Sequence, residues 1–444
     1  MRFAAQSRGK GERMADVTGG DAAEREAPRT LLGRLGVVGP GIVVAVTGVG
    51  AGDMVTSLVA GTSFGTVLLW AVVLGALLKC FLTEGIGRWY MASGETILQG
   101  WHSIGRLASG YFVAYLLIAT FVFGAAITST CALAVNAMFP DVLPQWAWAV
   151  LHAVAAFLLV GVGRYGLFER VMKLFAAVKF GIVVLLGVLL APSLSELALG
   201  LVPRMPEGSL WNVLAVIGGV GGTFTLASYG YWVREHGWRR PDWIPTMRID
   251  AVTGYVLTGV FMVSMMIVGA QLLYGTGTSI EGSEGLVTLA NPLEERFGPF
   301  VRWLFLIGFW AVATGAMLGS WNGGAHLFAD YVRIARGVSD EEAAGEISEK
   351  SPWFRAFLVW ITFPPMVLLI FGRPITLVIV YASLGAAFFP FLALTLLYLL
   401  NSRRVDPEYR NRTLTNVVLV TAVLLFIAAG VQEVLNGLSG RAGG

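Results

Sequence analysis

Two long apolar stretches of this chain are each interrupted by a run of glycines. The first covers residues 37–61 and is interrupted at 48–53 (GVGAGD), and the second covers 211–232 and is interrupted at 218–223 (GGVGGT). Glycine loses more conformational entropy than any other residue when a helix fixes it, so such runs are weak points in a helix. Unwound backbone at membrane depth is tolerated only where it is buried in protein or lines a cavity. The two runs therefore predict two broken helices, provided that the chain spans a membrane.

The composition indicates an integral membrane protein. Of the 444 residues, 56% are hydrophobic and 13% are charged, and this charged share is about half that of an ordinary soluble domain. A spanning helix needs about 20 mostly apolar residues. The segments that meet this requirement are the eleven at 37–61, 65–90, 109–137, 144–163, 167–191, 211–233, 248–273, 299–326, 353–371, 374–400 and 414–437.

The positively charged residues predict an orientation. Lys and Arg accumulate on the cytoplasmic side of membrane proteins. In this chain 24 of them fall in the N-terminal tail and the loops after spans 2, 4, 6, 8 and 10, against five on the opposite side. We therefore expect a cytoplasmic N terminus, an extracytoplasmic C terminus and a location in the cell (inner) membrane. Residues 1–36 are polar and mixed in charge, which predicts a disordered cytoplasmic tail and no signal peptide.

The eleven spans divide into two sets of five and one more. Residues 37–191 hold spans 1–5, residues 211–400 hold spans 6–10, and residues 414–437 form span 11. Because five is odd, the second set begins on the opposite side of the membrane and has inverted topology. The broken span comes first in each set, which is typical of LeuT-like transporters with a binding site between the breaks. The sequence thus predicts an all-α membrane protein with a LeuT-like 5+5 inverted repeat.

Short motifs in several spans point to one family. They are Gly39-Pro40-Gly41 in span 1, Leu69-Trp70 and Ser93-Gly94-Glu95 in and after span 2, residues 163–170 (GRYGLFER) before span 5, and Phe389-Pro390-Phe391 in span 10. With these motifs, the chain over residues 35–400 resembles the NRAMP (natural resistance-associated macrophage protein) family of proton-coupled divalent metal transporters. The resemblance implies a transporter rather than an enzyme, with the bilayer and its cargo as partners and no cofactor.

The resemblance also implies a site, although the site residues differ from the family pattern. In the family, an Asp and an Asn of span 1 and the Met of a Met-Pro-His motif in span 6 bind the metal. The Asp position falls on Gly50 and the Asn position on Asp53. The span 6 positions fall on Thr225 for Met and Ala227 for His, with Thr223 and Ser228 around them.

These replacements alter the expected cargo. They remove the Met sulfur, which is a soft ligand. The remaining candidate ligands are one carboxylate, hydroxyls and backbone carbonyls, and these oxygen atoms suit a hard cation. The family's supporting glutamine of span 10 falls near Ala382. The resemblance therefore implies a divalent cation carrier, with Mg²⁺ ahead of Mn²⁺. The alternative is a carrier of a small organic solute, because the N terminus of a half-helix attracts an anionic group. The third hypothesis is a non-transporting sensor.

Several candidate site residues carry two interpretations. Asp53 either contacts the substrate or caps the half-helix that begins beside it. The hydroxyls of Thr223, Thr225 and Ser228 either contact the substrate or bond to the freed backbone of span 6. The glycines at 48–52 and 218–222 also fit the small-x-x-x-small packing pattern, although their paired positions favour unwinding.

Charged residues in spans 2 and 6 are candidates for an inner gate. Lys79 and Glu84 are predicted to pair with loop charges and to face Arg234 and Glu235, ordinary juxtamembrane charge being the alternative. The aromatic run 229–232 (YGYW) is typical of residues that anchor a helix at the membrane interface.

The sequence also bears on proton coupling and on binding partners. The resemblance implies a proton route through acidic residues of spans 1 and 3 and a histidine of span 6. Residues 111–138 of span 3 contain no charged side chain, so this route is not expected here. No nucleotide loop is present, and we expect no nucleic-acid partner. The sequence leaves the oligomeric state open and is compatible with a monomer.

Overall fold

Helices and short turns form the whole of the structure over the residues that the computed structural model describes, which are 26–276, 285, 287, 289–338, 348–369 and 388–439. In chain order the helices are α1 (Leu31–Leu35), α2 (Pro40–Gly48), α3 (Ala51–Phe64), α4 (Leu69–Ser93), α5 (Ile97–Ile104), α6 (Arg106–Met138), α7 (Gln145–Gly161), α8 (Tyr165–Leu189), α9 (Leu194–Gly200), α10 (Leu210–Gly219), α11 (Tyr229–Glu235), α12 (Ile244–Leu273), α13 (Ala290–Phe297), α14 (Pro299–Ala335), α15 (Pro352–Thr362), α16 (Met366–Leu369), α17 (Phe388–Leu400) and α18 (Thr413–Ser439).

The first glycine run breaks its helix, as predicted. Helix α2 ends at Gly48, Val49 is extended, and Gly50 is the N-terminal cap of α3. The axes of α2 and α3 differ by 63°. The break falls at the point where glycine offers the least resistance to unwinding.

The second glycine run also breaks its helix, as predicted. Helix α10 ends at Gly219, and Gly221 and Gly222 have φ angles of +68° and +78°. These angles lie in the left-handed region, which glycine adopts without steric cost. A 3-10 turn at Phe224–Ser228 then leads into α11.

Within the described residues, seven helical segments are long and apolar enough to cross a membrane, and the bent pair α2–α3 makes an eighth. Three shorter apolar helices, α7, α17 and the first part of α18, lie where the remaining spans are predicted. Residues 370–387, which hold parts of predicted spans 9 and 10 and Ala382, lie outside the described residues. The count of eleven spans and the 5+5 division therefore stay predictions.

Helix α12 packs backbone to backbone against both halves of the first broken helix. A Cβ atom on Gly41 of α2 would overlap the carbonyl of Asp250, and one on Gly254 would overlap the carbonyl of Gly41. Gly61 of α3 lies in the same way against the carbonyl of Met266. Small residues allow such close approach between membrane helices. These contacts fix α2 and α3 beside α12.

We expect Gly61→Ala to destabilise the protein, because its Cβ would overlap the backbone of α12. Overpacking of this kind costs about 1–3 kcal/mol. The measurement is the thermal unfolding of detergent-purified protein, followed by tryptophan fluorescence. Gly181→Ala is the matched control, because Gly181 also lies inside a helix but has no neighbouring side chain or helix of the described residues within 4 Å of its Cβ position. Equal unfolding temperatures for the two variants would contradict the packing argument.

Candidate functional site

The two helix breaks lie directly against each other. A Cβ on Gly48 would come within 2.8 Å of the carbonyl carbon of Gly221, and a Cβ on Gly222 would come within 2.9 Å of the Gly48 Cα. By contrast, no atom of another described part of the chain lies within 4 Å of the Cβ positions of Gly52 and Gly218. The glycine pattern therefore serves the contact between the breaks and does not form a continuous small-x-x-x-small face.

Asp53 links the two breaks through its carboxylate. Its Oδ2 accepts a hydrogen bond of 2.6 Å from the backbone N–H of Gly50, and its Oδ1 accepts one of 3.1 Å from the N–H of Gly221. A carboxylate in the first turn stabilises a helix N terminus by accepting free N–H groups and by opposing the helix dipole. Asp53 thus caps α3, the second of its two predicted roles. Contact with a substrate stays a prediction.

Lys179 of α8 occupies the opposite pole of the first break. Its ammonium donates to the carbonyl oxygens of Val46 at 2.8 Å, Val49 at 3.0 Å and Ala45 at 3.4 Å, and its side chain is fully buried. The last carbonyls of a helix have no partner within that helix, and a positive charge there is favourable. Lys179 therefore caps the C-terminal end of α2.

Lys79 of α4 caps the second break in the same manner. Its Nζ donates to the carbonyl oxygens of Gly218 at 3.2 Å and Gly222 at 3.0 Å. The ammonium also lies 3.6 Å from the centre of the Phe389 ring, a favourable cation–π contact. The structure thus places Lys79 at the α10 break. Its part in a gate with Glu84, Arg234 and Glu235 stays a prediction.

The carboxylate and the two lysines belong to one network. The peptide group between Val49 and Gly50 accepts from Lys179 through its C=O and donates to Asp53 through its N–H. On the other side, Gly221 donates to Asp53 and the carbonyl of the next residue accepts from Lys79. With all three groups ionised, the centre of the two breaks carries a net charge of +1.

The remaining site candidates line the second break. Thr225, Ala227 and Ser228 are buried on the 3-10 turn, and Thr223 precedes it. A Cβ on Gly222 would lie 2.6 Å from the Thr225 hydroxyl, so this hydroxyl packs against the left-handed backbone. The Ser228 hydroxyl is buried without a hydrogen-bond partner in the described part of the chain. Gly50 lies beside Asp53, whose carboxylate its N–H contacts.

The prediction that the aromatic run at 229–232 anchors the membrane interface is wrong. Tyr229 and Trp232 are 0% exposed, and Tyr231 is 2% exposed. Tyr229 donates to Asp250 at 2.8 Å, Tyr231 donates to Asp330 at 2.6 Å, and Trp232 donates to Asn322 of α14. Buried polar groups need hydrogen-bond partners. These hydrogen bonds satisfy that need and hold α11 against α12 and α14.

Two buried aspartates on one side of the bundle escaped the sequence analysis. We call this side the positive side, because it carries Arg88, Arg248 and the N terminus of α2. Asp250 also accepts from the N–H groups of Gly39 and Gly41, at 3.0 and 2.6 Å. Asp330 also accepts from the Thr96 hydroxyl and the Arg333 guanidinium. An acidic residue inside a long apolar segment is the sequence signal that could have marked Asp250, whereas Asp330 lies beyond the apolar segment 299–326 and carries no such signal.

The other predicted gate residues lie on the positive side but form no ion pair with one another. They are Glu84, Arg234 and Glu235. Glu84 accepts from Arg88 and Arg248 at 3.0 and 2.9 Å, at the edge of a cavity of about 700 Å³. Arg234 and Glu235 form no ion pair with any described residue. Glu235 lies close enough to Glu349 for their negative charges to repel. No group of three or more His, Cys, Asp or Glu side chains in the described ranges is placed to hold a metal ion.

The fold defines the class of this protein. The manganese transporter of Eremococcus coleocola superposes with a TM-score of 0.73 over 92% of this chain and 89% of that one, at 16% identity. The structure of MhsT in complex with L-phenylalanine superposes with a TM-score of 0.52 over 93% of this chain and 99% of that one, at 14% identity. The chain has a LeuT-like fold of the kind found in broken-helix membrane transporters.

The family follows from the sequence comparison. The model of the natural resistance-associated macrophage protein-like family matches residues 41–436, and the chain belongs to this family of multi-pass membrane transporters.

Three curated relatives of the chain are 24–26% identical to it. Among them are an uncharacterized protein of Pasteurella multocida, 24% identical over 61% of this chain, and the divalent metal cation transporter MntH of Deinococcus radiodurans, 25% identical over 66%. The metal transporter Nramp3.2 of Populus trichocarpa is 26% identical over 62%. The matches span 64%, 69% and 57% of these three proteins' own lengths.

A loop carboxyl on the positive side makes stability depend on pH. Burial, reinforced by the negative charge of Glu235, raises the pKa of Glu349 to about 7. The folded state therefore holds this proton more tightly than the unfolded state, and stability falls as pH rises from 4.5 towards about 7. Glu349→Gln cannot ionise, and its amide oxygen can still accept from Asn322.

We expect Glu349→Gln to unfold at a higher temperature than the wild type at pH 8, with the gap closing towards pH 5, because only the wild type must bury an ionised carboxyl. The measurement is thermal unfolding across this pH range. Glu207→Gln, at an exposed position, should follow the wild-type curve. Parallel curves for Glu349→Gln and the wild type would show that the Glu349 carboxyl does not carry the pH dependence.

Proposed function

We propose that this protein is a secondary transporter that works by alternating access. The observation that carries the proposal is the pair of adjoining breaks, α2–α3 and α10–α11, in a chain of this family. The cargo would lie between the breaks, bounded by Asp53, Gly50 and the 3-10 turn with Thr225, Ala227 and Ser228. Spans 1, 2, 6 and 7 would rock against spans 3, 4, 8 and 9. We place the protein in the cell (inner) membrane with the positive side in the cytoplasm.

The first candidate cargo is a divalent metal cation. The family match supports it, as do the MntH relative, a divalent metal cation transporter, and the Nramp3.2 relative, a metal transporter. Because Thr225 and Asp53 offer oxygen and no sulfur, we propose Mg²⁺ ahead of Mn²⁺. The carbonyls that would bind the ion already accept from Lys79 and Lys179. This candidate therefore requires an ammonium to leave its carbonyls, or to lose its proton, when the ion binds.

The second candidate cargo is a small organic solute that bears an anionic group. With all three groups ionised, the net charge of +1 on the network of Asp53, Lys79 and Lys179 favours it, because an anion is attracted where a divalent cation is repelled. The Ser228 hydroxyl, which has no hydrogen-bond partner among the described residues, offers a further polar contact. The fold accommodates cargo of this kind, since the MhsT structure holds L-phenylalanine.

Coupling by the acidic route of metal transporters is not part of the proposal. That route needs carboxylates on the third span, and residues 111–138 of α6 carry no charged side chain. We propose transport that is uncoupled from protons or coupled in another way. Proton movement measured with a pH dye in proteoliposomes during uptake tests this point.

The charge of Lys79 separates the two cargoes by the sign of its effect. We expect Lys79→Met to strengthen binding of Mg²⁺ if the cargo is a metal ion, and to weaken binding of a carboxylate solute if the cargo is organic. The change should be at least about tenfold, because a charge-assisted contact contributes about 1.5–3 kcal/mol. Calorimetry with Mg²⁺, Mn²⁺ and Ca²⁺, and with a panel of amino and carboxylic acids, measures both. Lys350→Met, at an exposed position, is the control.

Asp53→Asn tests the site itself. A metal carrier should lose Mg²⁺ binding and liposome uptake in this variant, while the exposed Glu207→Gln variant keeps both. A carrier of organic anions should bind no divalent ion in either form. Saturable metal uptake that is equal in Asp53→Asn and the wild type would place the cargo away from the two breaks and overturn the proposed site.

A further inference from the structure

Lysine is rare in this chain, and its placement is selective. The sequence holds five lysines, and the side chains of Lys79 and Lys179 are completely buried. Each of these two ends on backbone carbonyls where a half-helix stops inside the membrane. An ionisable side chain within a membrane span marks a functional site by default. Lys79 and Lys179 are therefore candidates for a functional role.

The ammonium of Lys179 lies in a cradle of three carbonyl oxygens. Its Nζ is 2.8 Å from Val46 O, 3.0 Å from Val49 O and 3.4 Å from Ala45 O. The unwound carbonyls and half-helix C-terminal ends of broken-helix transporters are the groups that coordinate a monovalent cation. The lysine nitrogen therefore stands where a free cation would bind.

Carbonyl dipoles rather than an ion pair hold this charge. Among the described residues, Lys179 forms no ion pair with a carboxylate, and its connection to Asp53 runs through the peptide between Val49 and Gly50. Rings of backbone carbonyls that replace a hydration shell are also how proteins hold alkali ions. The cradle thus has the chemistry of an alkali-ion site.

We infer that Lys179 is a built-in monovalent cation, and that shortening its side chain opens a site for a free one, such as Na⁺ or a small alkylammonium ion. The site is the C-terminal end of α2, with the carbonyls of Ala45, Val46 and Val49 as ligands. Lys79 serves the end of α10 in a similar way, with two carbonyls. This inference goes beyond the proposed function and holds for either candidate cargo.

The test compares the unfolding temperature of Lys179→Ala and of the wild type in choline chloride, sodium chloride and ethylammonium chloride. We expect the wild type to unfold at the same temperature in all three salts. In choline, which is too large for the cradle, the variant should unfold several degrees lower, because three carbonyls lose their partner. Sodium or ethylammonium should recover at least half of this loss, with saturation as the salt concentration rises.

Lys350→Ala is the matched control, because this lysine is exposed and should show no dependence on the cation. Two results would overturn the inference: a Lys179→Ala protein as stable as the wild type in choline, or one equally destabilised in all three salts. The readout is stability and not transport, so a wrong assignment of the cargo leaves it unaffected.

Lys179→Gln covers the case in which Lys179→Ala cannot be purified. The glutamine amide donates two hydrogen bonds without a charge. An unfolding temperature clearly below that of the wild type would support the inference, because neutral donors do not replace the cation. A wild-type unfolding temperature would show that the carbonyls need hydrogen bonds alone, and the inference would fail.

Discussion

Backbone N–H and C=O groups that leave a helix inside a membrane must find hydrogen-bond partners within the protein. The arrangement of the two helix breaks at the centre of this structure follows from that requirement. Each unsatisfied group in the hydrocarbon region costs several kcal/mol, roughly the 2–7 kcal/mol of burying an unpaired polar group. Helices α2 and α10 stop inside their apolar segments, so carbonyls are released at their C-terminal ends and N–H groups at the start of α3. Lys179 and Lys79 take the carbonyls, and Asp53 takes the N–H groups of Gly50 and Gly221.

These side chains satisfy the backbone and also set the charge of the place where cargo is proposed to bind. Any ligand at the breaks meets one carboxylate between two ammonium groups, each already bonded to the chain. Binding must therefore exchange partners within the network, and the exchange reaches α4 through Lys79 and α8 through Lys179. In the proposed site, the same hydrogen bonds would link cargo recognition to the positions of these helices, which is the kind of differential contact that alternating access needs.

The breaks could be predicted from the sequence because their cause is local. Glycine runs at 48–53 and 218–223 weaken the helix wherever they stand, and the family motifs support the fold. The partners of the breaks could not be predicted in this way. Lys179 lies 130 residues from Val49, and only the packing of α8 on α2 brings them together. The same holds for Tyr231 and Asp330, 99 residues apart, which is why aromatic residues that resemble interface anchors proved to be buried.

Helix α2 is the element on which these contacts converge, because it is held by charge at both ends. Asp250 of α12 accepts from the N–H groups of Gly39 and Gly41 at its start, and Lys179 of α8 donates to its last carbonyls. An anion at the N terminus and a cation at the C terminus both match the helix dipole. The nine residues of α2 span about 13 Å, so it behaves as a short rigid rod between two different helices. If α8 and α12 move apart during the proposed transport cycle, the contact of Lys179 with the C-terminal end of α2 is the one that breaks, because close glycine contacts hold α2 to α12.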